Sequence, residues 1–376
     1  MEWLLGKDSD ELIQIAQGLG LPHYTGKQLS DWIYVKRVKE IGEMTNLSKA
    51  ARHALGEKYE VGGFAPTTVQ QSADGTRKYL FPTQGGFFIE SVVIPDEERA
   101  TLCVSSQAGC RMGCRFCMTA RQGVQANLTA GEIISQFQNI AETALLTNAV
   151  YMGMGEPMDN LDEVLKSQRI LTSVWGWGWS PRRITVSTIG LTPQVKRFIE
   201  ESECHLAVSL HHPFDVQRQA LIPMQKAYPL AELISLIRQY DFSGQRRVSF
   251  EYILFKGVND APLHAAALAR MLKGLECRVN LIRFHAIPGS SLQPSSDQAI
   301  ALFQKKLTDA GVLTTLRASR GEDILAACGL LSTSTKASMG TKASMGTKAS
   351  IGTKAGMKAS TNTKAGTNTN PTGMER

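Results

Sequence analysis

The chain has 376 residues, enough for one large domain and a small one, and its 43% hydrophobic and 20% charged content is ordinary for a soluble protein. It holds no uncharged apolar run long enough to span a bilayer, and Met1-Glu2-Trp3-Leu4-Leu5-Gly6-Lys7-Asp8 lacks the basic start and apolar stretch of a secretory signal. Seven cysteines, an odd number with three of them clustered, favour a reducing, cytoplasmic setting over a disulfide framework. The net charge of +7 sits at one end: residues 332–376 carry six lysines and Arg376 against Glu375. Residues 1–331 are therefore close to neutral, and a basic surface on them must be local.

In chain order, residues 1–60 predict a helical accessory module. Asp8 caps a first helix with Glu11 three residues on and Leu12, Ile13 and Ala16 on one face. Leu29, Trp32 and Ile33 give a second apolar stripe, and Ser48 caps a third helix that ends near Gly56. Lys36, Arg37, Lys39, Lys49 and Arg52 make this module basic, which suits either a packing module or one that meets nucleic acid. Residues 61–98 form a β extension. Thr67–Gln71 and Arg77–Phe81 flank Asp74-Gly75, a hairpin signal, and Phe87–Ile94 supplies a third strand with Glu90 inside it.

From 99 to 331 strands and helices alternate. Strands are expected near 101–106, 149–153, 183–188, 205–210, 247–254 and 279–284, and helices near 129–145, 160–173, 192–200, 229–240, 261–274 and 296–310. Six β-α units imply parallel strands with helical crossovers. Polar residues recur at strand C-terminal ends, so the α/β fold expected is a partial (β/α)6 TIM-type barrel whose rim carries the chemistry. Trp175, Trp177 and Trp179 alternate with glycines in a loop that suits aromatic packing better than base stacking. Beyond 332 the run Thr335-Lys336-Ala337-Ser338-Met339-Gly340 repeats with drift to about 366, a basic low-complexity tail expected to be disordered.

The chemistry concentrates in Gly109-Cys110-Arg111-Met112-Gly113-Cys114-Arg115-Phe116-Cys117, with cysteines at C-x3-C-x2-C. Three soft thiolates on one short loop select an iron–sulfur cluster, zinc or copper(I). A structural zinc takes four protein ligands, and no fourth Cys or His lies near. A cubane held by three cysteines leaves one iron open. After the next strand, Met152-Gly153-Met154-Gly155-Glu156-Pro157 offers close backbone approach and a carboxylate for an ammonium group. Ser187 ends the third barrel strand, and Ser209-Leu210-His211 ends the fourth.

The C-x3-C-x2-C loop, with an aromatic residue before its last cysteine, resembles the cluster loop of the radical S-adenosylmethionine enzymes, and Gly155-Glu156-Pro157 resembles the motif that holds the amino group of that cofactor. Arg99–Cys110 and Arg320-Gly321-Glu322-Asp323-Ile324-Leu325-Ala326-Ala327-Cys328-Gly329-Leu330 resemble, more narrowly, the radical S-adenosylmethionine 23S rRNA adenine-C2 methyltransferases, the RlmN type, over about residues 1–331. The resemblance implies a [4Fe-4S] cluster on Cys110, Cys114 and Cys117. It implies S-adenosyl-L-methionine held by Gly155, Glu156, Ser187, Ser209, Leu210 and His211, with His285 standing where many family members have Asn. It implies 23S rRNA and some tRNAs as substrates, with an electron donor such as flavodoxin or ferredoxin.

It also implies a mechanism. Cys328 is methylated first; a 5′-deoxyadenosyl radical takes hydrogen from that methyl, and the carbon radical adds to adenine C2. Glu90 removes the C2 proton, and Cys103 attacks the sulfur of Cys328, which frees methylated RNA and leaves a transient disulfide. Gly321 and Gly329 flank Cys328 and permit hinge motion in a carrier segment near the chain end. Cys204 and Cys277 match nothing and read as small buried hydrophobes. The alternatives are adenine-C8 methylation by the same chemistry and a zinc-dependent RNA-binding protein without catalysis.

Overall fold

Ten strands line up in one sheet in strict chain order, each beside its predecessor. The computed structural model describes residues 1–333 except Gln245, so the repeat tail lies outside the described residues. The sheet strands are β1 (Thr68–Gln71), β2 (Arg77–Pro82), β3 (Phe88–Asp96), β4 (Arg99–Cys103), β5 (Asn148–Tyr151), β6 (Ile184–Thr188), β7 (His205–Ser209), β8 (Val248–Leu254), β9 (Cys277–Arg283) and β10 (Leu313–Leu316). Strands β1 to β4 pair antiparallel, as short connections such as Asp74-Gly75 require. From β4 to β10 every pairing is parallel, with a helical crossover between successive strands. The two edges, β1 and β10, are not joined, so the barrel is partial.

Parallel strands with helices outside and a filled interior are apolar on both faces. In β8 all seven residues, Val-Ser-Phe-Glu-Tyr-Ile-Leu, are buried. The expected six-unit barrel is thus present with one strand more. β10 was not expected because Leu-Thr-Thr-Leu carries no apolar run, and only Thr314 in it is buried. The helix expected over 129–145 ends at Gln138, and a 3-10 turn covers Thr143–Leu145.

The N-terminal helices form where their caps predict. Asp8 accepts from the Asp10 and Glu11 N–H groups at 3.1 and 3.0 Å, and Glu11 reaches back to the Asp8 N–H at 2.7 Å. Ser48 caps Lys49–Gly56. Leu12, Ala16, Leu29 and Ile33 are buried, while Ile13 is only partly so. The tryptophan loop is a packing device. Trp177 meets Trp179 edge-on at 5.7 Å, Phe137 meets both, and Trp175 packs on Tyr34 of the N-terminal module at 5.9 Å. Arg37, one of the five basic residues of that module, lies over Trp177 at 4.0 Å.

Candidate active site

The three-cysteine loop is held open by its neighbours. Gln107–Cys110 pairs antiparallel with Gly123–Asn127, and a Cβ on Gly109 (φ +76°) would lie 1.8 Å from the Gly123 carbonyl oxygen. Phe116 anchors the loop's far end, edge-on to His211 at 4.8 Å and tilted on Phe255 at 5.7 Å. Cys110, Cys114 and Cys117 then line one cavity of about 1190 Å³, counting its open mouth. Burial pushes the Cys110 thiol up to about 12 and Cys114 well above its usual range, and neighbouring thiols of the trio raise both further. Two buried thiols and a partly exposed one, within electrostatic reach of one another, suit a centre that keeps them deprotonated. Among the described residues no three ligating side chains are placed around a single metal ion. A lone zinc needs its sulfurs about 4 Å apart, from Zn–S bonds near 2.3 Å, whereas a cubane takes each cysteine on a separate iron. The donor set fits the cluster.

Along the same wall, Gly155 sits at φ +101°, where an added Cβ would come within 2.6 Å of the Gln107 Cβ. Glu156 is 4% exposed. Its oxygens accept from the Met158 and Ile189 N–H groups at 3.2 and 3.0 Å. Burial raises its pKa to about 7 against those hydrogen bonds, so an ammonium group beside it restores the carboxylate. Ser187 and Ser209 also line the cavity.

His211 stands at φ +54° and accepts the Ile253 N–H on Nδ1 at 3.0 Å. The proton of the neutral ring is therefore on Nε2. Burial and the Arg218 guanidinium lower its pKa to about 3, so the ring stays a neutral donor. Leu210 is not in the cavity wall. Its side chain is fully buried, its N–H donates to Glu251 O at 3.0 Å, and its carbonyl accepts from Arg218.

The second half of the cavity holds the other cysteines. Cys103 and Cys328 both line it as free thiols. Cys328 is enclosed by protein yet open to the cavity space. Burial pushes Cys103 up to about 12 and Cys328 to about 11; Cys328 raises Cys103 further, and Arg317 opposes both shifts.

The segment carrying Cys328 is tied down at both ends. The Gly321 N–H donates to Asp74 at 2.9 Å, the Met118 N–H to the Gly329 carbonyl at 2.8 Å, and the Thr119 hydroxyl to the Leu331 carbonyl at 2.7 Å. Gly321 and Gly329 take φ of +63° and +83°. Glu90 lies behind the wall, 7% exposed, with one oxygen 3.1 Å from Lys78 Nζ and the other accepting the Ser332 N–H at 2.9 Å. Burial raises its pKa, and Lys78 and the Ser332 N–H pull the other way.

His285 is apart from the cavity. Its Nε2 is 3.1 Å from Ser319 Oγ and its Nδ1 3.5 Å from Glu322, so its ring faces the C-terminal segment instead of the cavity wall.

Three residues that the motifs do not mark also build the site. Arg218, 1% exposed, donates to the carbonyls of Ile189, Ser209 and Leu210 at 2.8, 2.9 and 2.9 Å and bonds Gln225. It ties the ends of β6 and β7 together, and nothing in its local sequence signals this. Arg317 enters the cavity just past β10. Glu251 was visible as a carboxylate in the apolar strand Val248–Leu254, the same signal that marks Glu90 in its strand.

Known proteins resemble this chain over most of its length. Residues 104–269 match the Radical SAM superfamily, and residues 3–61 match the ribosomal RNA large subunit methyltransferase N-terminal domain. The probable dual-specificity RNA methyltransferase RlmN of Parabacteroides distasonis is 56% identical over 331 residues, covering 88% of this chain and 96% of that protein. The dual-specificity RNA methyltransferase RlmN of Syntrophus aciditrophicus is 44% identical over 327 residues, covering 86% and 94%. The crystal structure of a radical SAM methyltransferase from Sphaerobacter thermophilus superposes with a TM-score of 0.83 at 40% identity, covering 88% of this chain and 99% of that one. The chain belongs to the RlmN family of radical SAM RNA methyltransferases, enzymes that work with a [4Fe-4S] cluster and S-adenosylmethionine.

Proposed function

We propose that this enzyme methylates C2 of an adenosine in 23S rRNA and of an adenosine in tRNA, in the cytoplasm, with electrons from a carrier such as flavodoxin or ferredoxin. One observation carries the reading. Cys103 and Cys328, from opposite ends of the barrel segment, share one cavity with the C-x3-C-x2-C loop, and Cys328 adds to the rise in the Cys103 pKa. The match of residues 3–61 to an rRNA methyltransferase domain supports the rRNA substrate. The words "dual-specificity" in the relatives' names support a second RNA. No helix among the described residues is long and apolar enough to cross a membrane.

Cys110, Cys114 and Cys117 would hold the cluster. Glu156 would take the ammonium of S-adenosylmethionine, with Gly155 giving it backbone approach. Ser187, Ser209 and the His211 Nε2–H would bond its polar groups, and Leu210 would serve through the backbone turn it shares with them. His285 is better placed to orient the carrier segment through Ser319 and Glu322. When bound, cluster and cofactor would supply a methyl group and one-electron chemistry for carbon that polar transfer cannot reach, including an acceptor for the unpaired electron left once the C2 proton is gone. Cys328 carries the one-carbon unit to adenine. Glu90, whose burial favours holding a proton, takes the C2 proton once its Ser332 contact opens. The Cys103 thiolate then forms an S–S bond to Cys328 as the Cys328 S–C bond breaks, and the carbon keeps the electron pair and takes a proton. Arg317 favours that thiolate against burial.

The test is nucleoside mass spectrometry of rRNA and tRNA from a null strain complemented with this gene. 2-Methyladenosine in both pools is expected, lost in Cys328→Ala. 8-Methyladenosine instead would overturn the C2 assignment. With Cys103→Ala, protein joined to RNA should accumulate on a denaturing gel; Cys328→Ala should give no such band.

A further inference from the structure

Glu251 is 3% exposed and lines the cavity from β8. Its Oε1 is crowded: it accepts from Asn280 Nδ2 at 2.8 Å, Ser249 Oγ at 3.1 Å and Arg317 Nη2 at 3.2 Å. Its Oε2 has less than 1 Å² open to solvent and no hydrogen-bond partner among the described residues. A buried carboxylate oxygen left without a donor is destabilising, so a ligand that brings a donor to it gains a hydrogen bond the fold itself does not make. The two buried carboxylates of the cavity divide its length. Glu156 lies with Cys110 and Cys114, and its oxygens already receive two backbone N–H groups. Glu251 and Arg317 lie with Cys328, whose charge state both influence.

We propose that Glu251 Oε2 accepts a hydrogen bond from the exocyclic amine of the adenine presented to Cys328, and so selects adenine over purines without that donor. This rests on the proposed adenine methylation. In adenine the amine-bearing carbon is separated from C2 by a single ring nitrogen, so a base whose C2 meets Cys328 brings its amine to groups beside that cysteine. Hypoxanthine and guanine place a carbonyl oxygen there, which a carboxylate repels. Arg317, Asn280 and Ser249 occupy Oε1 and leave Oε2 as the acceptor still to be filled, which a base reaches by displacing the side chains that cover it, and they make Glu251→Gln informative. Three donors surround Oε1, so the amide must place its oxygen there and its NH2 at the Oε2 position. The variant then presents a donor where the wild type presents an acceptor.

The experiment uses full-chain, anaerobically reconstituted protein. The probes are three synthetic RNAs spanning the adenosine located by mass spectrometry of RNA fragments from the complemented strain, with adenine, unsubstituted purine or hypoxanthine at that one position. Fluorescence anisotropy reads RNA affinity, and methyl transfer is read separately. Wild type should favour adenine over purine by at least about tenfold and over hypoxanthine by more. Glu251→Gln should bring adenine and purine within about threefold and raise hypoxanthine relative to adenine by about tenfold. Iron content and S-adenosylmethionine affinity, measured on the same variant, should stay at wild-type levels. Unchanged base preference in a variant with weakened S-adenosylmethionine binding assigns Oε2 to the cofactor and overturns the proposal. Failure of wild type to methylate the adenine RNA overturns the adenine reading itself, a different result from methylation with unaltered preference.

Discussion

Replacing Arg218 with Met keeps the volume of a long buried chain and removes its guanidinium. Three carbonyls, of Ile189, Ser209 and Leu210, lose charge-assisted donors at 2.8 to 2.9 Å, and Gln225 Oε1 loses its donor while its Nε2 keeps Asp215. Hydrogen bonds to charged groups contribute about 1.5–3 kcal/mol each, but the buried guanidinium also has a desolvation cost, seen as its pKa falling to about 10. Breaking one side of such a buried network costs about 3–5 kcal/mol net. With an unfolding entropy of about 2.1 cal/mol/K per residue over roughly 330 residues, that is about 4–7 °C in Tm. The ends of β6 and β7 that Arg218 ties together carry Ser187 and Ser209, so cofactor affinity should fall with stability while iron content stays. Arg218→Lys should recover only part of either, because one ammonium cannot span three carbonyls. Calorimetry and equilibrium S-adenosylmethionine binding read both effects. A Met variant within 1 °C of wild type, with unaltered cofactor affinity, would refute the bridging role.

Cys114→Ala should lose the cluster, from about four irons per chain to under one, by iron and sulfide analysis of anaerobically reconstituted protein; a full complement would remove Cys114 from the ligand set. Gly155→Ala forces a side chain into left-handed backbone and against Gln107. It should weaken S-adenosylmethionine binding by about tenfold or more while leaving iron content intact. His211 is held neutral in the folded state, with a pKa near 3, but binds a proton near 6.5 when unfolded. Its contribution to stability is complete above about pH 6.5 and declines by about 1.4 kcal/mol per pH unit as the pH falls towards 3. Denaturant titrations at pH 7 and pH 5.5 should show that His211→Gln loses about 1.4 kcal/mol less than wild type across that step.

The elements that follow from short-range rules were legible, and those that depend on distant packing were not. Asp8 and Ser48 cap their helices, and Asp74-Gly75 turns its hairpin, because each rule acts within a few residues. β10 escaped notice because its place is set by pairing with Arg278–Leu281 on β9, not by its own Leu-Thr-Thr-Leu. The site divides in the same way. Cys110, Cys114 and Cys117 advertise themselves by spacing, whereas Cys103, Cys328 and Glu90 gained their roles only through resemblance. The chamber that Cys103 and Cys328 share, with Glu90 behind its wall, is a product of the sheet order, which brings β3, β4 and the segment after β10 together. Arg218 and Arg317 carry no local mark at all, since their partners are carbonyls and a carboxylate on other strands. Glu251 lies between these cases. A lone carboxylate inside seven buried strand residues is costly unless something binds it, so its position was a readable signal, but only the three donors crowded on one oxygen reveal that the other is kept free. Of the buried side-chain oxygens and nitrogens without a partner among the described residues, Glu251 Oε2 belongs to a residue that lines the same cavity as Cys328, which is what sets it apart from the others.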